Sequence, residues 1–268
     1  MKFKIAVVQF RITPYAPQEN LKKAEKFISK AASSGARIIV FPEDFITGPV
    51  EGEKNYADSK HRYRDYFQNL AKKYRIDIVP GSFVEKEKNL FYNTTYYLDH
   101  TSKNKARYRK INLWSTERKF FTPGKETTVF KTRFGKIGLI ICWDIFFPEI
   151  FRKMVKKGVN MVICPSYWCY EYAEKGLQYD ANSEIKLVDA LCVSRAFENE
   201  IALIYTSAAG TMTFPNYREK LLGHSQVTVP FKGAIKKLEH NREEMFIQEI
   251  DTEILKDAEK VYKTRENL

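Results

Sequence analysis

Lys136-Ile137-Gly138-Leu139-Ile140-Ile141-Cys142-Trp143-Asp144-Ile145-Phe146-Phe147-Pro148-Glu149 is the stretch on which the fold turns. Lys136 to Ile141 is a short, continuous apolar run rich in β-branched residues, the pattern of a strand buried on both faces. Pro148 then opens a helix predicted to run to Lys157, with Gly158 as its stop, and Asn160 to Cys164 reads as the next strand. Strand, helix and strand in ~30 residues make the unit of an α/β sheet. In such sheets chemistry collects beyond the carboxyl ends of the strands. Cys142 stands at one of those ends.

The same grammar extends in both directions. Phe3 to Phe10 reads as a buried strand, and Gln18 to Ala32 as a helix with Leu21, Ala24, Ile28 and Ala31 on one face. Arg37 to Phe41 is a strand closed by Pro42, so Glu43 and Asp44 fall just past its carboxyl end. A helix is predicted from Asp58 to Tyr74, strands over Asp77 to Glu85 and Asn93 to Asp99, a turn at His100 to Lys105, and a hairpin of Thr128 to Lys131 with Lys136 to Ile141. Beyond the central unit come a helix from Asn182 to Asn199, a strand from Ile201 to Ser207, three strand-like runs between Gly223 and Ile250, and a helix near Thr252 to Lys260. No linker, composition break or fixed-period repeat interrupts the chain, which predicts a single domain over residues 1–268.

Composition narrows the function classes. With 268 residues, 44% hydrophobic and 29% charged, and with 12 glycines and 10 prolines, the chain is neither disordered nor fibrous. Its net charge of +12 raises a polyanion as partner. The basic residues, however, interleave with acidic ones, as in Glu19 to Lys30 and Glu85 to Lys88; the one dense cluster is Lys103 to Lys110. The charge therefore reads as a solvated, lysine-rich surface, and no nucleic-acid partner is expected. No run approaches the ~20 apolar residues of a membrane span, and Ile5 to Val8 is too brief for a signal segment. Cys142, Cys164, Cys169 and Cys192 lack the spacing and histidine pairs of a zinc site, so no metal or other cofactor is expected. Reduced thiols in a cytoplasmic protein are the expectation.

A thiol at a strand end is well placed for attack, because the turn and the following helix offer backbone N–H groups to an oxyanion. It needs a base. His61 and His240 sit among charged neighbours and His100 in a polar turn, leaving only His224 as a histidine candidate. A carboxylate and a lysine are better placed: Glu43 after its strand, and Lys110 embedded in Tyr108-Arg109-Lys110-Ile111-Asn112-Leu113-Trp114.

Taken together, these segments resemble the nitrilase superfamily of carbon–nitrogen hydrolases. Phe41-Pro42-Glu43 is similar to the family's glutamate motif, Tyr108 to Leu113 to its lysine motif, and Cys142 to Glu149 to its cysteine motif, in the family's order. Arg195-Ala196-Phe197-Glu198-Asn199 and Gly223-His224-Ser225-Gln226-Val227 resemble later family segments, and Val8-Gln9 and Phe121-Thr122-Pro123-Gly124 fit as well. The resemblance implies a four-layer αββα sandwich and a triad of Glu43, Lys110 and Cys142, with Glu117 as a second glutamate. It also implies association as a homodimer or a higher even oligomer. The implied substrate is a small molecule carrying an amide, carbamoyl or nitrile group, with the amide favoured. Trp114, Trp143, Phe147, Tyr167 and Trp168 are the candidates to line its pocket, because they adjoin motif positions or strand ends.

Overall fold

The computed structural model describes residues 1–50, 54–102, 105–214 and 217–268. The first strand, β1 (Lys2–Arg11), is buried on both faces from Ile5 to Phe10, with Lys2, Lys4 and Arg11 exposed toward its ends. Phe3, Ile5 and Val7 point into one core, whereas Ala6, Val8 and Phe10 point into another. The second core is roofed by α1 (Pro17–Ser33), whose Leu21, Ala24, Ile28 and Ala31 are buried as the helical spacing predicts. Next come β2 (Ile38–Val40), α2 (Arg62–Tyr74), β3 (Asp77–Val79), β4 (Ser82–Glu87), β5 (Leu90–Leu98) and β6 (Lys105–Arg109). These strands form one layer with β1. The other layer holds β7 (Thr128–Thr132), β8 (Gly135–Leu139), β9 (Met161–Ser166) and β10 (Ala202–Ala209), with α3 (Pro148–Lys156) between β8 and β9 and α4 (Ser183–Asn199) before β10. After β10 follow the small hairpin β11 (Thr211–Thr213) and β12 (Arg218–Lys220), then β13 (Gln226–Val229), β14 (Gly233–Lys237), β15 (Glu244–Asp251) and α5 (Glu253–Tyr262).

The layers join where β1 meets β10, with Phe10 opposite Ala208 and Arg11 opposite Ala209. Elsewhere they face each other: Ile5, Val7, Val40 and Tyr97 of one pack in the same core as Leu139, Ile163 and Leu203 of the other. With α1 and α2 outside the first layer and α3 and α4 outside the second, the order is helix, sheet, sheet, helix. This is the αββα sandwich. Each large apolar side chain buried in it is worth about 1.5–3 kcal/mol.

Of the expected boundaries that move, two do so for a clear local reason. The helix predicted from Asp58 begins at Arg62, because Asp58 is held in a bridge with Glu85 and His61 is left-handed with φ +56°; Tyr63 N–H of the first turn reaches back to Asp58 Oδ2 at 2.9 Å. The single strand predicted over Asp77 to Glu85 divides at Pro80-Gly81, where Gly81 has φ +62° and a Cβ would lie 1.9 Å from the Pro42 carbonyl oxygen. Only glycine fits there. The break sets Ser82 in a bridge with Glu43, which locks the glutamate's backbone to the neighbouring strand. The Lys103 to Lys110 cluster is mostly β6, and Lys103 and Asn104 lie outside the described residues. No helix among the described residues is long and apolar enough to cross a membrane.

Candidate active site

Three strand ends and one loop converge between the layers. β2 delivers Glu43. β6 delivers Lys110 by its pleat: Ala106 and Tyr108 face inward and are buried, so Lys110, two residues on, does too, at 2% exposure. Its position is pinned by two backbone bonds, Lys110 N–H to Asn93 O at 2.9 Å and Gly124 N–H to Lys110 O at 2.7 Å. Cys142 follows β8 at the first position of a 3-10 turn, Cys142–Phe146, and has φ +46°. A left-handed conformation costs a non-glycine residue about 1–2 kcal/mol. The surroundings hold it: Asp144 accepts hydrogen bonds from Ile141 N–H (3.0 Å), Tyr108 OH (2.7 Å), Asn112 N–H (2.8 Å) and Asn112 Nδ2 (2.9 Å). One buried carboxylate thus ties the cysteine turn to the lysine segment.

Behind that turn, Arg195 donates to Ile145 O and Phe146 O, both at 3.0 Å, and to Glu198 Oε1 at 2.9 Å. The Gly223-His224-Ser225 segment meets Gln9 of β1, with Ser225 N–H donating to Gln9 Oε1 at 3.0 Å. His224 is not among the residues lining the pocket at Cys142.

Glu43, Lys110, Glu117 and Cys142 meet in that pocket. Lys110 Nζ lies 3.0 Å from Glu43 Oε1 and 2.8 Å from Glu117 Oε2, so two of its three N–H donors are committed and one remains. Asn93 Nδ2 donates to both carboxylates, at 2.8 Å to Glu43 Oε1 and 3.1 Å to Glu117 Oε1. Tyr167 N–H donates to Glu43 Oε2 at 2.8 Å, and Trp114 N–H to Glu117 Oε2 at 2.7 Å. The Cys142 thiol reaches Glu43 and donates to Tyr167 O at 3.3 Å. Sequence reasoning missed Asn93 and Asp144 as organisers. Asn93 shares its pleat parity with inward-facing Tyr97, which was the available signal.

Burial dominates the electrostatics. It pushes the Cys142 thiol well above the usual thiol range, and the Glu43 carboxylate pushes it further than Lys110 draws it back. Burial also raises Glu43 above the ordinary glutamate value; Lys110 opposes this and Glu117 adds to it. Burial alone would lower Lys110, yet the carboxylates of Glu117 and Glu43 overcome it and hold the ammonium well above its usual range. The resting site is therefore a neutral thiol beside a carboxylate base and a fixed cation.

Trp114, Trp143, Tyr167, Trp168 and Tyr172 wall the pocket, joined by Asp44 and Pro49. Trp114 packs on Trp143 and Tyr172 with ring centroids 4.4 and 4.7 Å away. The cavity left between them is about 20 Å³, room for about one water molecule. Phe147 does not line it. It packs edge-on to Trp143 at 6.3 Å and borders a shallower groove with Leu113, Arg118 and Phe121, because the turn after Cys142 carries it past the pocket wall.

A profile of carbon–nitrogen hydrolases matches residues 4–260. The chain belongs to that family. A Bacillus subtilis 2-oxoglutaramate amidase is 31% identical over 94% of this hydrolase and 92% of its own length. A Schizosaccharomyces pombe protein named "Probable nitrilase" is 30% identical over 98% and 94%. Among solved structures, Saccharomyces cerevisiae Nit3, a member of branch 10 of the nitrilase superfamily, superposes with a TM-score of 0.82 at 26% identity, covering 97% of this hydrolase and 93% of that chain. The resemblance seen in the separate motifs thus extends along nearly the whole carbon–nitrogen hydrolase.

Proposed function

We propose that this carbon–nitrogen hydrolase is an amidase that releases ammonia from a small amide through a thioester on Cys142. The observation that carries the reading is the buried meeting of Glu43, Lys110 and Cys142 at three strand ends, each held by partners outside the triad. In the first half-reaction Glu43 takes the thiol proton as sulfur attacks the carbonyl carbon. The free N–H of Lys110 and the backbone N–H of Trp143, an early position in a 3-10 turn and so without an acceptor inside it, hold the oxyanion. Glu43 returns its proton to the leaving nitrogen, and ammonia departs. In the second half-reaction Glu43 deprotonates a water that attacks the thioester; the acid leaves and the thiol regains its proton. Glu117 positions Lys110 and accepts from the substrate NH₂.

The pocket favours a neutral substrate. Among the described lining residues Lys110 is the one cation, and two carboxylates already occupy it. A substrate with its own carboxylate, as the name of the B. subtilis relative implies for that enzyme, would find no free cation there. Measuring ammonia release over a panel of neutral amides, carboxylate-bearing ω-amides, N-carbamoyl amines and nitriles tests the reading. Neutral amides should turn over fastest, and undiminished turnover by Cys142→Ala would sink the assignment.

The same proposal includes a homodimer in the cytoplasm. Val193, Phe231 and Tyr262 are exposed apolar residues of neighbouring elements, and Phe231 and Tyr262 are in ring contact at 5.1 Å. All four cysteines are free and buried, which suits a reducing compartment. Light scattering on the purified chain should return twice the protomer mass.

A further inference from the structure

Part of the net charge of +12 gathers in one groove, lined by Lys2, Lys4, Arg37, Arg75 and Arg133. At the amino ends of the first three parallel strands, opposite the end that holds Cys142, the register sets Ile5 of β1 beside Ile38 of β2, and Ile38 beside Asp77 of β3. Lys4 lies in β1, Arg37 directly precedes β2 and Arg75 caps α2 two residues before β3; a backbone bond from Arg37 N–H to Lys4 O (2.8 Å) sets Lys4 and Arg37 side by side. All three side chains are exposed, and among the described residues none has a carboxylate within 4.0 Å. Glu249 stands cross-strand from Lys4 and is, among the described residues, the one carboxylate lining the groove.

Arg133 closes the far side of the groove on a built support. Its guanidinium donates to Asp77 Oδ1 at 3.1 Å and lies over the Phe134 ring, 4.6 Å from the centroid. Asp77, 1% exposed, also takes Tyr97 OH at 2.6 Å and bonds His100 Nδ1 at 2.7 Å. One buried carboxylate thus holds the Arg133 guanidinium and the His100 ring from beneath. The groove, open to solvent, offers about 930 Å³, within the range of small-molecule sites.

We infer that this groove is a second binding site, separate from the amidase pocket, for a small anion carrying at least two phosphate groups. Lys4 and Arg37 sit on adjacent strands, about 4.8 Å apart, and Arg75 adds a third cation to the same groove; a single monoanion would satisfy only part of that set. Arginine predominates, with donors that pair phosphate oxygens two at a time. The groove is also concave, which suits a small ligand better than a rod-like duplex.

Titration calorimetry with inorganic pyrophosphate at 150 mM NaCl tests this on the full chain. A Kd of 1 mM or tighter is expected, weakened at least tenfold in Arg37→Glu/Arg75→Glu. The charge-matched control Lys153→Glu/Lys156→Glu, on α3, should bind as the wild type does. Circular dichroism confirms that each variant is folded, and Lys4→Glu provides a second, single-site reading in the same direction. No heat with 5 mM pyrophosphate, or equal weakening in the control, would overturn the site. Binding of a 20-base-pair duplex more tightly than pyrophosphate, lost in the same variant, would also overturn it, since it would assign the groove to nucleic acid.

Discussion

Replacing Glu117 by Gln keeps the side chain's volume and removes one charge from the Lys110 cluster. In the native site Glu117 Oε2 lies 2.8 Å from Lys110 Nζ. At an effective dielectric constant of ~20 that separation corresponds to about 6 kcal/mol of attraction. Part of it is retained, because Glu43 still pairs with Lys110 and keeps it charged. The amide's one oxygen cannot serve Lys110, Trp114 N–H and Asn93 Nδ2 as the carboxylate's two do, so a buried donor is left without an acceptor. Breaking one partner out of a buried ion pair costs about 3–5 kcal/mol, which in a chain of this size lowers Tm by about 10 °C. The freed ammonium also loses its aim at the oxyanion, and kcat/KM should fall by about 10²–10³. Differential scanning fluorimetry reads the first effect. Ammonia release at 20 °C, where the variant remains folded, reads the second. A variant within about threefold of wild-type kcat/KM and with unchanged Tm would refute the claim that Glu117 holds Lys110 in place.

Other outcomes follow from the same geometry. Because burial raises Glu43, the acid limb of the kcat/KM profile should have its midpoint above 4.5, and because Lys110 is held well above 10.5 no alkaline loss is expected through pH 9; a steep fall near pH 8 would contradict this. Asp144 is raised from 3.8 to about 6 by burial, so its contribution to stability is full below about pH 4 and lost as pH rises through about 6, a swing of up to about 3 kcal/mol. Asp144→Asn lacks that titration, so the stability gap between wild type and variant in urea should shrink by that amount from pH 4 to 7; a constant gap counts against it. Gly81→Ala should lose about 1–2 kcal/mol from backbone conformation alone, and more from its collision with Pro42 O. Its activity should fall with it, because Glu43 is bridged to Ser82.

Much of this was legible in the sequence, for identifiable reasons. The central runs of β1 and β8, Ile5 to Val8 and Ile137 to Leu139, are buried on both faces, and that is why strands could be read there without alternation. Glu43, Lys110 and Cys142 were visible because each ends a strand signal, and strand ends of an α/β sheet converge. The left-handed backbone of Cys142 was not visible, since no side-chain type announces it and the cost is met by Asp144 and Arg195 from elsewhere in the chain. Asn93 was missed because an asparagine in a strand reads as a boundary, and its task appears only when two distant glutamates arrive on either side of it. Phe147 was misplaced because adjacency to a motif does not fix which side of a 3-10 turn a ring leaves by. The basic groove could not be read at all: Lys4, Arg37, Arg75 and Arg133 are far apart in sequence, and strand register alone brings them together.

The central claim is covalent chemistry at Cys142. Rapid-quench intact-mass spectrometry during turnover of a neutral amide, followed by peptide mapping, tests it most directly. The account predicts an adduct equal to the substrate mass less ammonia, located on Cys142 and absent from Cys142→Ala. Turnover that proceeds in Cys142→Ala, or an adduct that maps to Cys164, Cys169 or Cys192, would contradict it.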